Sequence, residues 1–173
     1  MDINNLTQII LNFSQSLGPI QILISALAYL LGLIFIITAI FKLHSIGSVG
    51  APANERVFVP IAYLIGGGVL IFAPTAFKAL SATVFGSTSI LQYAALNPVN
   101  VTAAIILIIQ TAGLVWFVRG CVLLVSASQP GVQEGPKGMV FLCAGILAMN
   151  FEATIAAINA ILAEIFSYTL HMQ

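Results

Sequence analysis

Long apolar stretches alternate with short polar turns along this chain of 173 residues. Four stretches reach the length of about 20 residues that a helix needs to cross the hydrocarbon core of a bilayer. We therefore predict four membrane-spanning helices, over residues 19–41, 57–80, 99–125 and 138–166. Charge is rare inside these stretches and is confined to Lys78, Arg119, Glu152 and Glu164.

A short segment of mixed polarity precedes the first span. In "DINNLTQIILNFSQSLGP" the apolar residues recur at helical spacing, which predicts a short amphipathic helix on the membrane surface that ends at Gly18-Pro19. A second mixed segment separates the second span from the third. The expected organisation is an interfacial segment 1–18, a first transmembrane hairpin 19–80, an extracytoplasmic connecting segment 81–98 and a second transmembrane hairpin 99–173.

The two halves of the chain resemble each other. "GLIFIITAIFKL", which begins at Gly32, aligns with "GLVWFVRGCVLL" from Gly113 at an offset of 81 residues, and "IGGGVL" from Ile65 aligns with "LCAGIL" from Leu142 at 77. Apolar helices also resemble one another by chance, and that alternative stays open. The pattern favours an all-α membrane protein with four transmembrane helices in two tandem hairpins of parallel orientation.

The composition points to the same class. Hydrophobic residues make up 60% of the chain and charged residues 6%, and the mean hydropathy is +1.11. A soluble domain carries about 25% charged residues, so the chain cannot cover a water-facing surface. The net charge of zero gives no basic field for sequence-specific nucleic-acid binding.

Catalytic and metal-binding patterns are missing from the sequence. His44 and His171 have no neighbouring ligands at metal-binding spacing, and the triple glycine at Gly66 lies inside a span rather than in a phosphate loop. Cys121 and Cys143 lack CxxC spacing and are interpreted as two small buried hydrophobic residues. We expect a protein that is not an enzyme and has no metal; bound phospholipid is the one small molecule we allow for.

Basic residues indicate the orientation in the membrane. Lys42, Arg56 and Lys137 lie in the two short turns, with Arg119 near enough to extend towards the same side, whereas the opposite side has Lys78 alone. Because basic residues favour the cytoplasmic face, we expect cytoplasmic turns and extracytoplasmic termini.

Glu152 is the most conspicuous polar residue, because a straight helix from Gly138 would place it about 21 Å deep, near the bilayer midplane. Three interpretations stay open: a polar or hydrated oligomer interior, a basic or amide partner on a neighbouring helix, or a shifted span that leaves Glu152 near the interface. Asn150, two positions earlier, points to another side of the helix.

Small residues mark faces where helices can approach closely. They lie in the second and fourth spans, and they suit packing within one bundle and packing between subunits equally well. The candidates for helix packing are Gly66, Gly67, Gly68, Ala153 and Ala157.

The run "GPKGMVFLCAGILAMNFEATIAAINAIL" and the four-span pattern resemble small integral membrane proteins of type IVB secretion and I-type conjugation systems, the DotE/IcmC-like and TraQ-like proteins. Each half is also similar to a two-helix conjugative pilin. The resemblance covers most of the chain and is strongest over residues 137–150. It implies that Lys42, Arg56, Arg119 and Lys137 line a lumen or contact lipid headgroups.

The expected function is therefore a structural membrane subunit of a type IVB secretion or conjugative transfer apparatus. We expect it to self-assemble in the bacterial inner membrane, as a pilin-like filament or a ring. A location in an extracellular pilus after assembly is an open alternative. Expected partners are further copies of the chain, other secretion-system membrane subunits and membrane lipids. The alternatives are a small ion or proton channel or transporter with Glu152 as its intramembrane site, and a passive assembly factor for a larger partner.

Overall fold

A computed structural model describes residues 3–48, 57–85 and 101–171 of the chain. This part of the chain is helical and contains no strand, in agreement with the predicted all-α class. The helices, which we number in chain order, are α1 (Ile3–Gly47), α2 (Phe58–Ile71), α3 (Ala73–Phe85), α4 (Val101–Ala127), α5 (Gly135–Met149) and α6 (Phe151–His171).

Among the described residues, two helices are long and apolar enough to cross a membrane without a break: α1, over Thr7–Gly47, and α4. The consecutive helices α5 and α6 pass the same test together, but they are bent by 94° at their junction. The helix α2 has 14 residues and α5 has 15, or about 21 to 22 Å each at 1.5 Å per residue. Both are shorter than the roughly 30 Å hydrocarbon core.

The helix α1 continues through Gly18 and Pro19, so the predicted end of a separate interfacial helix at this point is wrong. Proline normally conflicts with the Cβ and backbone of the residue before it. Gly18 has no Cβ, which relieves part of that conflict. The remaining cost is the hydrogen bond that the Pro19 nitrogen cannot donate, a loss that apolar helices tolerate.

Two of the predicted spans, 57–80 and 138–166, are each interrupted by a turn. The predicted span 57–80 ends at Phe72, whose N–H donates to the carbonyl of Gly68 at 3.0 Å, and α3 begins at the next residue. Pro74 accounts for the interruption, because a proline has no N–H to donate to the carbonyl four residues earlier and so breaks or kinks a helix. The predicted span 138–166 is interrupted in the same way at Asn150. Of the predicted connection 81–98, the first five residues belong to α3, and the remainder lies outside the described residues.

Close backbone contacts join α1 to α2. A Cβ added to Gly32 would lie 2.9 Å from the backbone nitrogen of Ile71, and one added to Gly67 would lie 3.2 Å from that of Ile36. The order of these contacts makes the two helices antiparallel.

The helices α4 and α5 repeat this arrangement. A Cβ on Gly113 would lie 2.8 Å from the nitrogen of Met149, and a Cβ on Gly145 would lie 2.6 Å from that of Phe117. The contact residues of α4 lie 81 positions after those of α1, the same offset as in the sequence alignment.

The contact residues of α5 lie 78 positions after those of α2, whereas the sequence alignment used 77. The two helix breaks, at Phe72 and Asn150, are also 78 positions apart. We call α1–α3 the first repeat and α4–α6 the second.

The repeats lie side by side with the same orientation. Gln21 Nε2 of α1 donates to Thr111 Oγ1 of α4 at 2.8 Å. Further along both helices, Ala39 of α1 and Val125 of α4 belong to one buried cluster, so α1 and α4 run in parallel. The main hydrophobic core lies between the pair α1–α2 and the pair α4–α5. It consists of the buried residues Ala28, Leu70, Ala73, Phe117, Cys121, Ile146 and Met149.

Candidate functional site

The junction at Asn150 is the most elaborate polar arrangement within the apolar part of the second repeat. The side chain of Asn150 is 4% exposed, and its Nδ2 donates to the carbonyl of Ile146 at 2.8 Å. Thr154 Oγ1 donates to the carbonyl of Leu147 at 2.9 Å. The carbonyl of Ile146 also accepts from the backbone N–H of Asn150 at 3.1 Å, so the Asn150 amide adds a second donor there. The Thr154 hydroxyl satisfies a carbonyl at the end of the helix, where the usual backbone partners are missing.

Glu152 lies in the first turn of α6 and its side chain is exposed. The depth of 21 Å assumed a straight helix from Gly138, and the 94° bend removes that assumption. A carboxylate in the first turn of a helix faces the positive end of the helix dipole, which stabilises negative charge. The bend therefore gives Glu152 a structural reason to be in this position, while its depth in a bilayer stays a prediction.

Two basic side chains lie over aromatic rings, one in each repeat; the rings occupy corresponding positions, whereas Arg119 corresponds to Thr38 rather than to Lys42 at the offset of 81. Lys42 Nζ lies 5.8 Å from the ring centroid of Tyr63, and Arg119 Cζ lies 5.0 Å from that of Phe141. Tyr63 and Phe141 correspond at the structural offset of 78. A cation over an aromatic face is stabilised by about 0.5–1 kcal/mol at an exposed site, and more where water is excluded. Each pair thus holds one positive charge on its own returning helix.

Of the other two predicted basic residues, Lys137 lies among the described residues. Lys137 is exposed and forms a 4.0 Å ion pair with Glu134, a type of contact that contributes about 0–1 kcal/mol. Arg56 lies outside the described residues. Lys42, Arg119 and Lys137 thus have separate local contacts, each within its own repeat.

Tyr63 also connects the two repeats. Its hydroxyl accepts a hydrogen bond from Gln129 Nε2, in the turn between α4 and α5. Its ring meets Phe35 edge to face, with the centroids 5.5 Å apart. The turn after α4 is thereby attached to the first repeat.

We expect Tyr63→Phe to lower the free energy of unfolding by about 0.5–1.5 kcal/mol, because Gln129 loses its acceptor. Tyr63→Leu should lower it further, since Lys42 and Phe35 also lose the ring. Unfolding in detergent by a denaturant titration measures both changes. Tyr29, which is exposed on α1, supplies the matched control Tyr29→Phe, and an equal loss in that control would contradict the role of the hydrogen bond.

The predicted packing residues divide into two groups. A Cβ on Gly66 would overlap Cγ2 of Val125, and Gly67 faces Gly32, so both glycines take part in contacts within the chain. Gly68 is half-buried, with no atom within 4 Å of its Cβ position. Ala153 is half-buried and Ala157 exposed on α6.

The two cysteines have different environments. Cys121 is buried, as the sequence led us to expect, but Cys143 is exposed on α5, so its interpretation as a buried residue is wrong. Cys143 points away from α4, because the residues of α5 that contact α4 lie at the spacing of Gly138, Leu142 and Gly145. Within residues 3–48, 57–85 and 101–171, no three His, Cys, Asp or Glu side chains are grouped as metal ligands.

Four glycines of the second repeat were missed as packing residues. They face the partner helix along one side, and the signal that could have found them is the spacing of glycines on both helices: Gly113, Gly120, Gly138 and Gly145. The alignment at 77 paired Gly68 with Gly145, whereas the contacts pair Gly67 with Gly145.

The chain matches no protein-family model, no curated protein and no solved structure. The resemblance to secretion and conjugation proteins therefore stays a prediction from the sequence.

Proposed function

We propose that this protein is a structural, non-enzymatic membrane subunit that assembles with further copies of itself. The observation that carries the proposal is the repeated helix pair: α1 with α2 and α4 with α5 make equivalent close contacts and lie in the same orientation, and the last helix, α6, remains largely exposed. Units that stack in one orientation inside a chain present the same kind of surface to the next unit.

In this proposal α1 and α4 cross the bacterial inner membrane, and α2 and α5 return across most of it. The two breaks then lie near the opposite interface, which completes the predicted two hairpins. The basic residues of the turns favour a cytoplasmic position for them, with the termini in the periplasm. After assembly into a filament, the same subunit would reach the cell surface as part of a pilus.

The type of apparatus follows from the sequence resemblance alone. A type IVB secretion or conjugative transfer system would supply other membrane subunits as partners. The basic residues would contact phospholipid phosphates, for which Lys and Arg are suited. Lys42 and Arg119, each over an aromatic ring, would reach the headgroups with their long side chains while the stems stay on the apolar helices.

The position of Glu152 favours this structural role over the alternative of an ion or proton site. An intramembrane carboxylate that binds ions is expected inside a bundle or along a water-filled path. Glu152 is instead exposed in the first turn of α6, where the helix dipole already stabilises its charge.

The test is the mass and shape of the protein after gentle detergent extraction from the native membrane, by mass determination and negative-stain electron microscopy. We expect closed rings or filaments that contain many copies. A monodisperse monomer would contradict self-assembly. Deletion of the gene from a transfer-competent bacterium should abolish conjugative transfer or protein export, and unchanged transfer would contradict the assignment to such an apparatus.

A further inference from the structure

The helix α3 contacts a helix of the following repeat, and α6 has no corresponding contact among the described residues. The helix α3 packs against α1 and α2 of its own repeat, and it also reaches α5 of the next repeat. Its residue Leu80 packs against the main core between the repeats. The contact between α3 and α5 therefore joins the first repeat to the second.

The helix α6 makes the equivalent contacts inside its own repeat, with α4 and α5. A contact that corresponds to α3 with α5 would need a returning helix of a following repeat, and the chain has no third repeat among the described residues. Ile158, the counterpart of Leu80 at the offset of 78, is accordingly 50% exposed. Ile155, Ile161 and Leu162 lie on the same side of α6 and are also exposed.

The returning helix of the first repeat offers the missing surface. At the same offset, α2 is the counterpart of α5, and Gly68 of α2 is the counterpart of Ile146, a core residue of α5. The space around the Cβ position of Gly68 is open to 4 Å. A side chain from another molecule can therefore approach α2 at the place where α5 contributes to the contact between repeats.

We propose that α6 of one copy docks on α2 of the next copy, and so repeats between chains the contact that α3 makes with α5 within the chain. The apolar side of α6, with Ile155, Ile158 and Leu162, becomes buried in this contact. Because two different surfaces meet, the interface is heterologous, and successive copies form a closed ring or an open filament. This inference deepens the proposed function and rests on its self-assembly.

Cysteine cross-linking between two differently tagged chains tests the docking, on a background with Cys121→Ala and Cys143→Ala. One chain carries Ile158→Cys, the other Gly68→Cys, and a short bifunctional thiol reagent is added to membranes that contain both. We expect a cross-linked dimer that carries both tags. The matched control is Ala160→Cys in place of Ile158→Cys, because Ala160 lies two positions further on, towards the opposite side of α6, and the mixed dimer should disappear.

Other outcomes overturn the proposal in distinguishable ways. Cross-links that join Ile158→Cys chains to each other alone would show symmetric pairing of α6 and contradict the α6–α2 contact. If native oligomers persist without any cross-link, the docking is wrong although self-assembly stands. If no cross-link forms and the extracted protein is monomeric, with α6 on the lipid surface, both the docking and the self-assembly are wrong.

Discussion

Gly145→Ala should lower the free energy of unfolding by about 3 kcal/mol, near the upper end of the usual cost of overpacking. The added Cβ would lie 2.6 Å from the backbone nitrogen of Phe117 and 2.9 Å from the carbonyl oxygen of Gly113. Both are backbone atoms of α4, which cannot rotate away as a flexible side chain could. The two helices must therefore separate, and the buried ring of Phe117, which is 0% exposed, loses part of its packing.

Gly68→Ala is the matched control, since it places the same methyl group near the end of α2, where no atom beyond the helix's own backbone lies within 4 Å. Alanine favours the helix over glycine by about 1 kcal/mol, so this variant should be as stable as the wild type or more stable. Gly67→Ala should resemble Gly145→Ala, because its Cβ would lie 2.9 Å from the carbonyl oxygen of Gly32.

Denaturant titration of the detergent-solubilised protein, followed by circular dichroism, measures all three variants. Wild-type stability for Gly145→Ala would contradict the close approach of α4 and α5. Equal losses at Gly68 and Gly145 would show that the loss reflects glycine replacement in general rather than this contact.

The apolar pattern predicted the helices and much of their pairing. Residues 19–41 lie within α1, and the described part of the predicted span 99–125 lies within α4. The alignment of Gly32 with Gly113 names the two glycines that make equivalent contacts. These features depend on local composition and on the need of helices to approach closely, both of which a sequence displays directly.

The same pattern missed the places where helices break or continue. Pro74 and Asn150 are residues that disfavour a helix, and the helices break beside them. Gly18-Pro19 disfavours a helix in the same way, yet α1 continues through it without a break. The outcome depends on whether other groups satisfy the freed carbonyls, and hydropathy does not contain that information. Helix direction after a break is likewise set by tertiary contacts, so Glu152 was placed along a straight helix.

Asn150→Leu should straighten the junction between α5 and α6 in part of the molecules. The wild-type side chain donates from a buried position to the carbonyl of Ile146, which also accepts from the Asn150 backbone N–H, so the replacement removes a second hydrogen bond that contributes about 0.5–1.5 kcal/mol. Leucine also has the higher helix propensity. Both effects favour a continuous helix, in which the backbone itself satisfies the carbonyls at the junction.

Asn159→Leu is the matched control, because it makes the same replacement at an exposed position within α6. It should leave the bend unchanged. A bend that persists fully in Asn150→Leu would show that the contacts of α6 with α4, rather than the polar cap, determine its direction.

The bend between α5 and α6 determines both the position of Glu152 and the exposure of α6. Spin labels at Met139 on α5 and Ala163 on α6, both exposed, report its angle by pulsed electron paramagnetic resonance in lipid nanodiscs. For a bend of 94°, helix geometry gives a separation of about 25 Å between the two backbone positions, against about 36 Å for a straight helix. A wild-type distribution centred near the shorter distance is the predicted result, and one centred near the longer distance would contradict the account.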